Sequence, residues 1–485
     1  MSSHSLAKNT SFFAGAMAIQ KVLSFLYFTL VARGIGVENT GKYTFALSFT
    51  TIFAIILDLG LTQILIRESA RDKENSEKYL AGILGFKILA SAIIYSLVVL
   101  LINIMGYPEI TKQLVYVSGF VMLVDSFSLT FYGMIRGKQN LFFESIGIII
   151  NQLIVLIMGF IVLKMNLGLV PLMGVYLIGS LYNLIYSLII VKKKYNIRLK
   201  ISFKPQLLKI ILRVAVPFAI AGIFIRIYSS IDVIMLSKLA DDKAVGIYSV
   251  AMKIVFALQF VATAFSATLY PAFSKYFIES KEFLAKNFTK SIYYLMILSL
   301  PMTTGVIMIA DKIIPPVFGE QYTASILPLQ VLIVSLIFIF LCFPLGAMLN
   351  ACNKQTRNTV NLGIIALFNI ILNIILIPKF SYMGAAIASL SSYILLFVLD
   401  IVLIEKIISY DKKFLIFSFL KNLFSCIIMA IVMYLIKDKI NFIIVIPVAI
   451  IIYFAVLFAI KGFVKEDILE LIQKFKAKNK QKTST

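Results

Sequence analysis

Fourteen apolar stretches, each near the ~20 residues a helix needs to cross a hydrocarbon layer, fix most of what this chain can become. They fall at 10–33, 41–66, 80–105, 114–135, 142–165, 169–191, 210–236, 245–270, 290–311, 324–350, 358–378, 383–405, 414–436 and 442–461. Lipid offers the backbone no hydrogen-bond partner, so a spanning segment must be a helix or part of a closed barrel. These runs lack the polar–apolar alternation of barrel strands, which leaves the helix. The predicted class is an all-α integral membrane protein with about fourteen transmembrane helices. With 60% hydrophobic and only 14% charged residues, the chain has too little charged surface to stay dispersed in water.

Charge then orients the helices. Between residues 192 and 209 stand Lys192, Lys193, Lys194, Arg198, Lys200, Lys204 and Lys209, broken by Pro205 and unaccompanied by any acid. Short Lys/Arg-rich loops stay in the cytoplasm. If this joint is cytoplasmic, alternation puts 30 of the 46 Lys and Arg on the inner side and 10 on the outer, with the rest inside spans. Both termini are then predicted in the cytoplasm. The formal charge of +23 suits anionic headgroups along the inner leaflet and calls for no nucleic acid partner. The first apolar run is longer than a signal-peptide core and lacks a small-residue cleavage site, so it reads as a retained helix.

The joint separates two sets of six spans, and a weak repeat relates them. Val31-Ala32-Arg33-Gly34-Ile35-Gly36 leads to Gly41-Lys42-Tyr43, as Ser237-Lys238-Leu239-Ala240-Asp241-Asp242 leads to Gly246-Ile247-Tyr248. In each, a cationic turn precedes Gly-x-Tyr on the following helix, so the repeat runs parallel, about an axis along the membrane normal. The predicted organisation is a first lobe at 1–191, a basic cytoplasmic linker at 192–209 and a second lobe at 210–405. Two further helices follow at 406–461. A tail at 462–485 carries Ile468, Leu471, Ile472 and Phe475 at helical spacing among lysines, which fits a basic amphipathic helix on the inner leaflet and equally a solvated tail.

Charged side chains within the spans are the candidate functional residues, because each costs roughly 2.5–3.5 kcal/mol at mid-bilayer and needs a cavity or a partner. Lys21, Asp125 and Arg226 fall near mid-span, and Asp58, Lys87, Asp232 and Lys253 lie one to two turns from an end. Lys21, Arg226, Lys253 and Lys87 are the candidate cations for an anionic ligand. Asp58, Asp125 and Asp232 are candidates for ion or proton coupling, and for structural hydrogen bonding. Lys87 and Lys253 also fit a snorkelling role. Pro217 and Pro301 would bend their helices. Cys342, Cys352 and Cys426 have no paired spacing and His4 is the sole histidine, so no metal centre, cofactor or catalytic triad is indicated.

On several stretches the chain resembles the polysaccharide (O-antigen type) flippases of the multidrug/oligosaccharidyl-lipid/polysaccharide exporter superfamily. They are Ala32-Arg33-Gly34 with Gly41-Lys42-Tyr43, Leu57-Asp58-Leu59-Gly60-Leu61 with Ile66-Arg67-Glu68, Val317-Phe318-Gly319-Glu320-Gln321-Tyr322, and Tyr382-Met383-Gly384-Ala385-Ala386. The resemblance implies two pseudo-symmetric six-helix bundles forming a V-shaped central cavity, plus two extra C-terminal helices. It implies alternating access, and as cargo a polyprenyl phosphate- or pyrophosphate-linked oligosaccharide crossing the cytoplasmic membrane. Glycan polymerases or glycosyltransferases of the same pathway are the implied partners, besides membrane lipids. A drug or cation antiporter of the same superfamily is the first alternative. A membrane glycan polymerase or transferase is the second, and short outer loops with no acid–base histidine weigh against an enzyme. No P-loop is present to bind nucleotide.

Overall fold

The computed structural model describes residues 3–463 apart from 72, 204 and 267. The side chains of residues 3–8, 10, 73–75, 205–219, 264 and 266 also lie outside the description. The expectations for the tail at 464–485 and for Pro217 therefore fall outside the described residues.

The chain forms helices α1 (Ser3–Ile35), α2 (Val37–Asp58), α3 (Leu61–Arg71), α4 (Lys73–Ile104), α5 (Glu109–Gly137), α6 (Phe142–Lys164), α7 (Leu169–Ile189) and α8 (Pro205–Leu239). It continues through α9 (Asp242–Ser266), α10 (Leu269–Glu279), α11 (Lys281–Phe318), α12 (Ile326–Ala351), α13 (Gln355–Phe380), α14 (Tyr382–Glu405), α15 (Lys412–Ile436) and α16 (Phe442–Ala459). Among the described residues, 14 of these are long and apolar enough to cross a membrane. The protein is multi-pass.

The two short helices correct the expected spans 41–66 and 245–270. Each of those runs is a spanning helix followed by a separate helix of 11 residues, α3 or α10. After α2 the backbone turns through Leu59 at φ 43° and Gly60 at φ 77°, a left-handed pair that ends the helix. On α3, Leu61, Ile64 and Leu65 face inward while Gln63 and Arg67 stay exposed, an amphipathic pattern that lies across a bundle end rather than through lipid. Its apolar face joins Leu80 and Ile83 of α4 and Phe131 and Ile135 of α5 in a buried cluster.

The helices group into two compact units, residues 1–260 with 314–332 and 355–396, and residues 261–313 with 333–354 and 397–485. In the first, α7 ends in a widened turn that leaves Lys192, Lys193 and Lys194 exposed. The joint then runs along α4, with the Arg198 amide donating to Glu77 Oε1 (3.2 Å) and the Ser202 amide to the Ala81 carbonyl (3.0 Å). In the second unit, Pro301 has no N–H for the Ile297 carbonyl one turn back. The Tyr453 hydroxyl of α16 sits 3.0 Å from that carbonyl and 2.5 Å from Asn422 Oδ1 of α15. A lipid-buried acceptor orphaned by proline is thus answered by a neighbouring helix. The bend of α11 comes instead at Ile309 (φ −119°, ψ 17°), so Pro301 alone does not set it.

Candidate functional site

Within the first unit, the α1–α2 and α8–α9 hairpins repeat one another in register. Tyr27 and Tyr43 hydroxyls lie 2.8 Å apart, and the same spacing of 16 residues joins Asp232 to Tyr248, whose hydroxyl donates to Asp232 Oδ2 at 2.7 Å. Lys21 precedes Gly41 by as many residues as Arg226 precedes Gly246. The hairpins touch through those glycines. A Cβ on Gly41 would come 1.7 Å from the Asp242 carbonyl oxygen, and one on Gly246 2.1 Å from that of Val37. Only glycine permits this approach.

Each hairpin turn is held by a loop from elsewhere in the unit. Arg33 donates to the Pro316 carbonyl (3.0 Å), and the Tyr322 hydroxyl lies within hydrogen-bond distance of the Ala32 carbonyl (3.0 Å) and Thr40 Oγ1 (2.8 Å). On the other turn Lys238 donates to the Met105 carbonyl (2.7 Å) and sits 5.4 Å above the Tyr107 ring. These contacts close one end of the paired hairpins.

Away from that end, two candidate cations, Lys253 and Arg226, face cavities. Lys253 Nζ lies 3.4 Å from Ser24 Oγ and 5.0 Å above the Phe28 ring, near enough to Lys21 to feel its charge. Lys253 borders a cavity of about 170 Å³ with Tyr43, Ser229 and Phe256. Arg226 lines a larger chamber of about 790 Å³, walled by α1, α2, α5, α6 and α7. Lys21 and Arg226 are exposed, and Lys21 lines neither cavity. Among the described residues no carboxylate pairs with Lys21, Arg226 or Lys253.

Lys87 is placed differently. It is fully buried, 3.0 Å from Asp58 Oδ1, and donates to the Ser126 carbonyl at 2.8 Å. Its charge is already matched. Asp58 lines the chamber and also accepts from Thr62 (2.5 Å). Asp125 faces the same chamber beside Ser180. Asp232 lines the smaller cavity that Lys253 also borders, is 3% exposed, and is held by neutral donors: Tyr248, Ser389 and Asn373 (2.6 Å). A buried carboxylate without a cationic partner is costly unless it takes up a proton or a small cation, and this oxygen-rich set could hold either.

This cradle is not legible along the chain. Its members lie on α8, α9, α13 and α14, and only the tertiary fold brings them together. A signal was present in Asn369 and Asn373, one turn apart in an apolar run, where a buried amide needs a reason. The Arg136–Glu144 pair (2.7 and 2.5 Å) across the α5–α6 turn was likewise readable only in hindsight.

Comparison with known proteins agrees with this architecture. Residues 6–277 match the profile of a family described as polysaccharide biosynthesis protein, and residues 217–375 match the MatE profile. The capsular polysaccharide biosynthesis protein CapF of Staphylococcus aureus is 22% identical over 79% of this chain and 94% of its own length. The probable low-salt glycan biosynthesis flippase Agl15 of Haloferax volcanii is 26% identical over 76% of this chain and 77% of its own. Among solved structures, the lipid II flippase MurJ in an inward closed conformation superposes with a TM-score of 0.78 at 17% identity, covering 92% of this chain and 97% of that one.

Proposed function

Because this chain belongs to the polysaccharide biosynthesis protein family of the MOP superfamily, we propose that it is a flippase for a polyprenyl phosphate- or pyrophosphate-linked oligosaccharide in the cytoplasmic membrane. One observation carries the reading: Arg226 and Lys253 line cavities and Lys21 lies exposed near Lys253, and among the described residues no carboxylate forms an ion pair with any of the three. Uncompensated positive charge at that depth is expensive, and a lipid phosphate that enters with its tail still in the bilayer supplies the missing anion. Lys87 takes a supporting part, holding Asp58 in place.

The Lys/Arg count puts both termini in the cytoplasm, and the clasped turns at Arg33 and Lys238 then lie on the outer face. On this reading the described state keeps the outer end shut, and alternating access requires the Gly41 and Gly246 contacts to part. The two lobes, α1 to α7 and α8 to α14, carry the motion, while α15 and α16 lie outside the repeat. Asp232 is the leading candidate for coupling to an ion or proton, since its cradle holds no fixed cation. A glycosyltransferase or polymerase of the same pathway supplies or consumes the cargo.

The antiporter reading is favoured by Asp125, a carboxylate facing the chamber without an ion-pair partner among the described residues, and by the MatE match. One experiment separates the two. Deleting the gene is expected to make a lipid-linked saccharide accumulate on the cytoplasmic leaflet. Unchanged lipid-linked pools together with lost efflux of organic cations would instead establish the antiporter.

A further inference from the structure

We infer that the chamber inside the first six-helix set is the pocket for the sugar next to the lipid phosphate, and that it is built for an uncharged sugar. The inference rests on the flippase reading. At about 790 Å³ the chamber falls within the ~300–1,000 Å³ typical of small-molecule sites, whereas the cavity at Lys253, about 170 Å³, has room for little beyond a phosphate. Leu47 borders both cavities, and Arg226 of the chamber wall stands one turn before Ser229 of the smaller one. Arg226 belongs to the unpaired cations and also to the chamber wall, so a phosphate on its guanidinium would present the next group of the cargo to the chamber.

The wall chemistry decides what that group is. Its charges are largely cancelled in place: Asp58 by Lys87, and Glu144 by a two-point contact with Arg136. Asp125 and Arg226 remain, one of each sign. A lipid tail would leave these groups desolvated. With the phosphate on Arg226, an anionic sugar would confront Asp125. A neutral polyhydroxyl ligand fits, because it both donates and accepts. Ser126, 6% exposed, leaves its hydroxyl without a partner. Asn183 accepts from Tyr132 (2.6 Å), which leaves its amide N–H groups to give. The rings of Tyr132 and Phe13 add apolar faces for the C–H side of a sugar ring.

The test uses the purified full chain in nanodiscs with three probes: farnesyl pyrophosphate, its glucosyl derivative and its glucuronosyl derivative. The glucosyl probe is expected to bind about tenfold more tightly than the bare pyrophosphate, equivalent to ~1.4 kcal/mol, and the glucuronosyl probe no more tightly than the bare one. Thr51→Phe, which fills the chamber, should remove the sugar's gain while the bare pyrophosphate still binds. Asp125→Asn should let the glucuronosyl probe approach the glucosyl one. The chain contains no tryptophan, so Phe13→Trp in an otherwise native protein gives a unique reporter that the glucosyl probe should shift and the bare probe should not. Equal affinity for all three probes and a silent reporter would overturn the sugar pocket and leave the flippase reading standing. Bare pyrophosphate that fails to bind, or binds undiminished in a Lys21→Gln/Arg226→Gln variant, would instead overturn the reading beneath it.

Discussion

Lys87 illustrates how a deep charge can be ambiguous in sequence and definite in space. Its run of neighbours permits snorkelling, a ligand contact or an ion pair alike. Only the meeting of α2, α4 and α5 puts Asp58 and the Ser126 carbonyl around its ammonium group. Removing one member of such a pair strands the other. Lys87→Met is therefore expected to cost about 3 kcal/mol, the low end for a broken buried pair because Asp58 keeps some contact with the chamber. Lys87→Met with Asp58→Asn should recover much of the loss, and thermal unfolding in detergent measures both. If the double variant is no more stable than the single one, the pair is not what holds Lys87.

At the scale of elements, the helices are shaped by where their backbone groups find partners. Pro301 leaves the Ile297 carbonyl open, and Tyr453 reaches it from α16. Tyr453→Phe should destabilise the second unit by about 1–3 kcal/mol, the cost of a buried acceptor left unmade. Pro301→Ala restores an N–H to α11, so the double variant should lose less than Tyr453→Phe alone, a non-additivity that a thermal-melt cycle reads. Additive losses would show that Tyr453 acts through packing or through Asn422 instead. The short helices α3 and α10 teach a related lesson. Their apolar faces continue the hydropathy of the preceding spans, so a length count merges them. Gly60, the residue that separates α2 from α3, was visible in the sequence but easily absorbed into a long run.

For the whole molecule, the fold was legible because lipid permits so few solutions, and continuous apolar length marks out the spans. The Gly-x-Tyr repeat also pointed to the α1–α2 and α8–α9 hairpins, which meet through Gly41 and Gly246. What could not be read was pairing across helices. Periodicity tells which face a residue occupies, never which neighbour meets that face. Thus Lys253 reads no differently from Lys87 in sequence, and the Asp232 cradle is scattered over four helices. The central claim is that the three cations without a carboxylate partner receive a lipid phosphate. Its most direct measurement is the amount of lipid-linked saccharide held on the cytoplasmic leaflet of cells carrying only a Lys21→Gln/Arg226→Gln variant at normal abundance, beside a Lys21→Arg/Arg226→Lys variant. Accumulation to the level of a gene deletion in the first, with substantial relief in the second, is predicted. Normal surface glycan with the neutral variant would contradict the account.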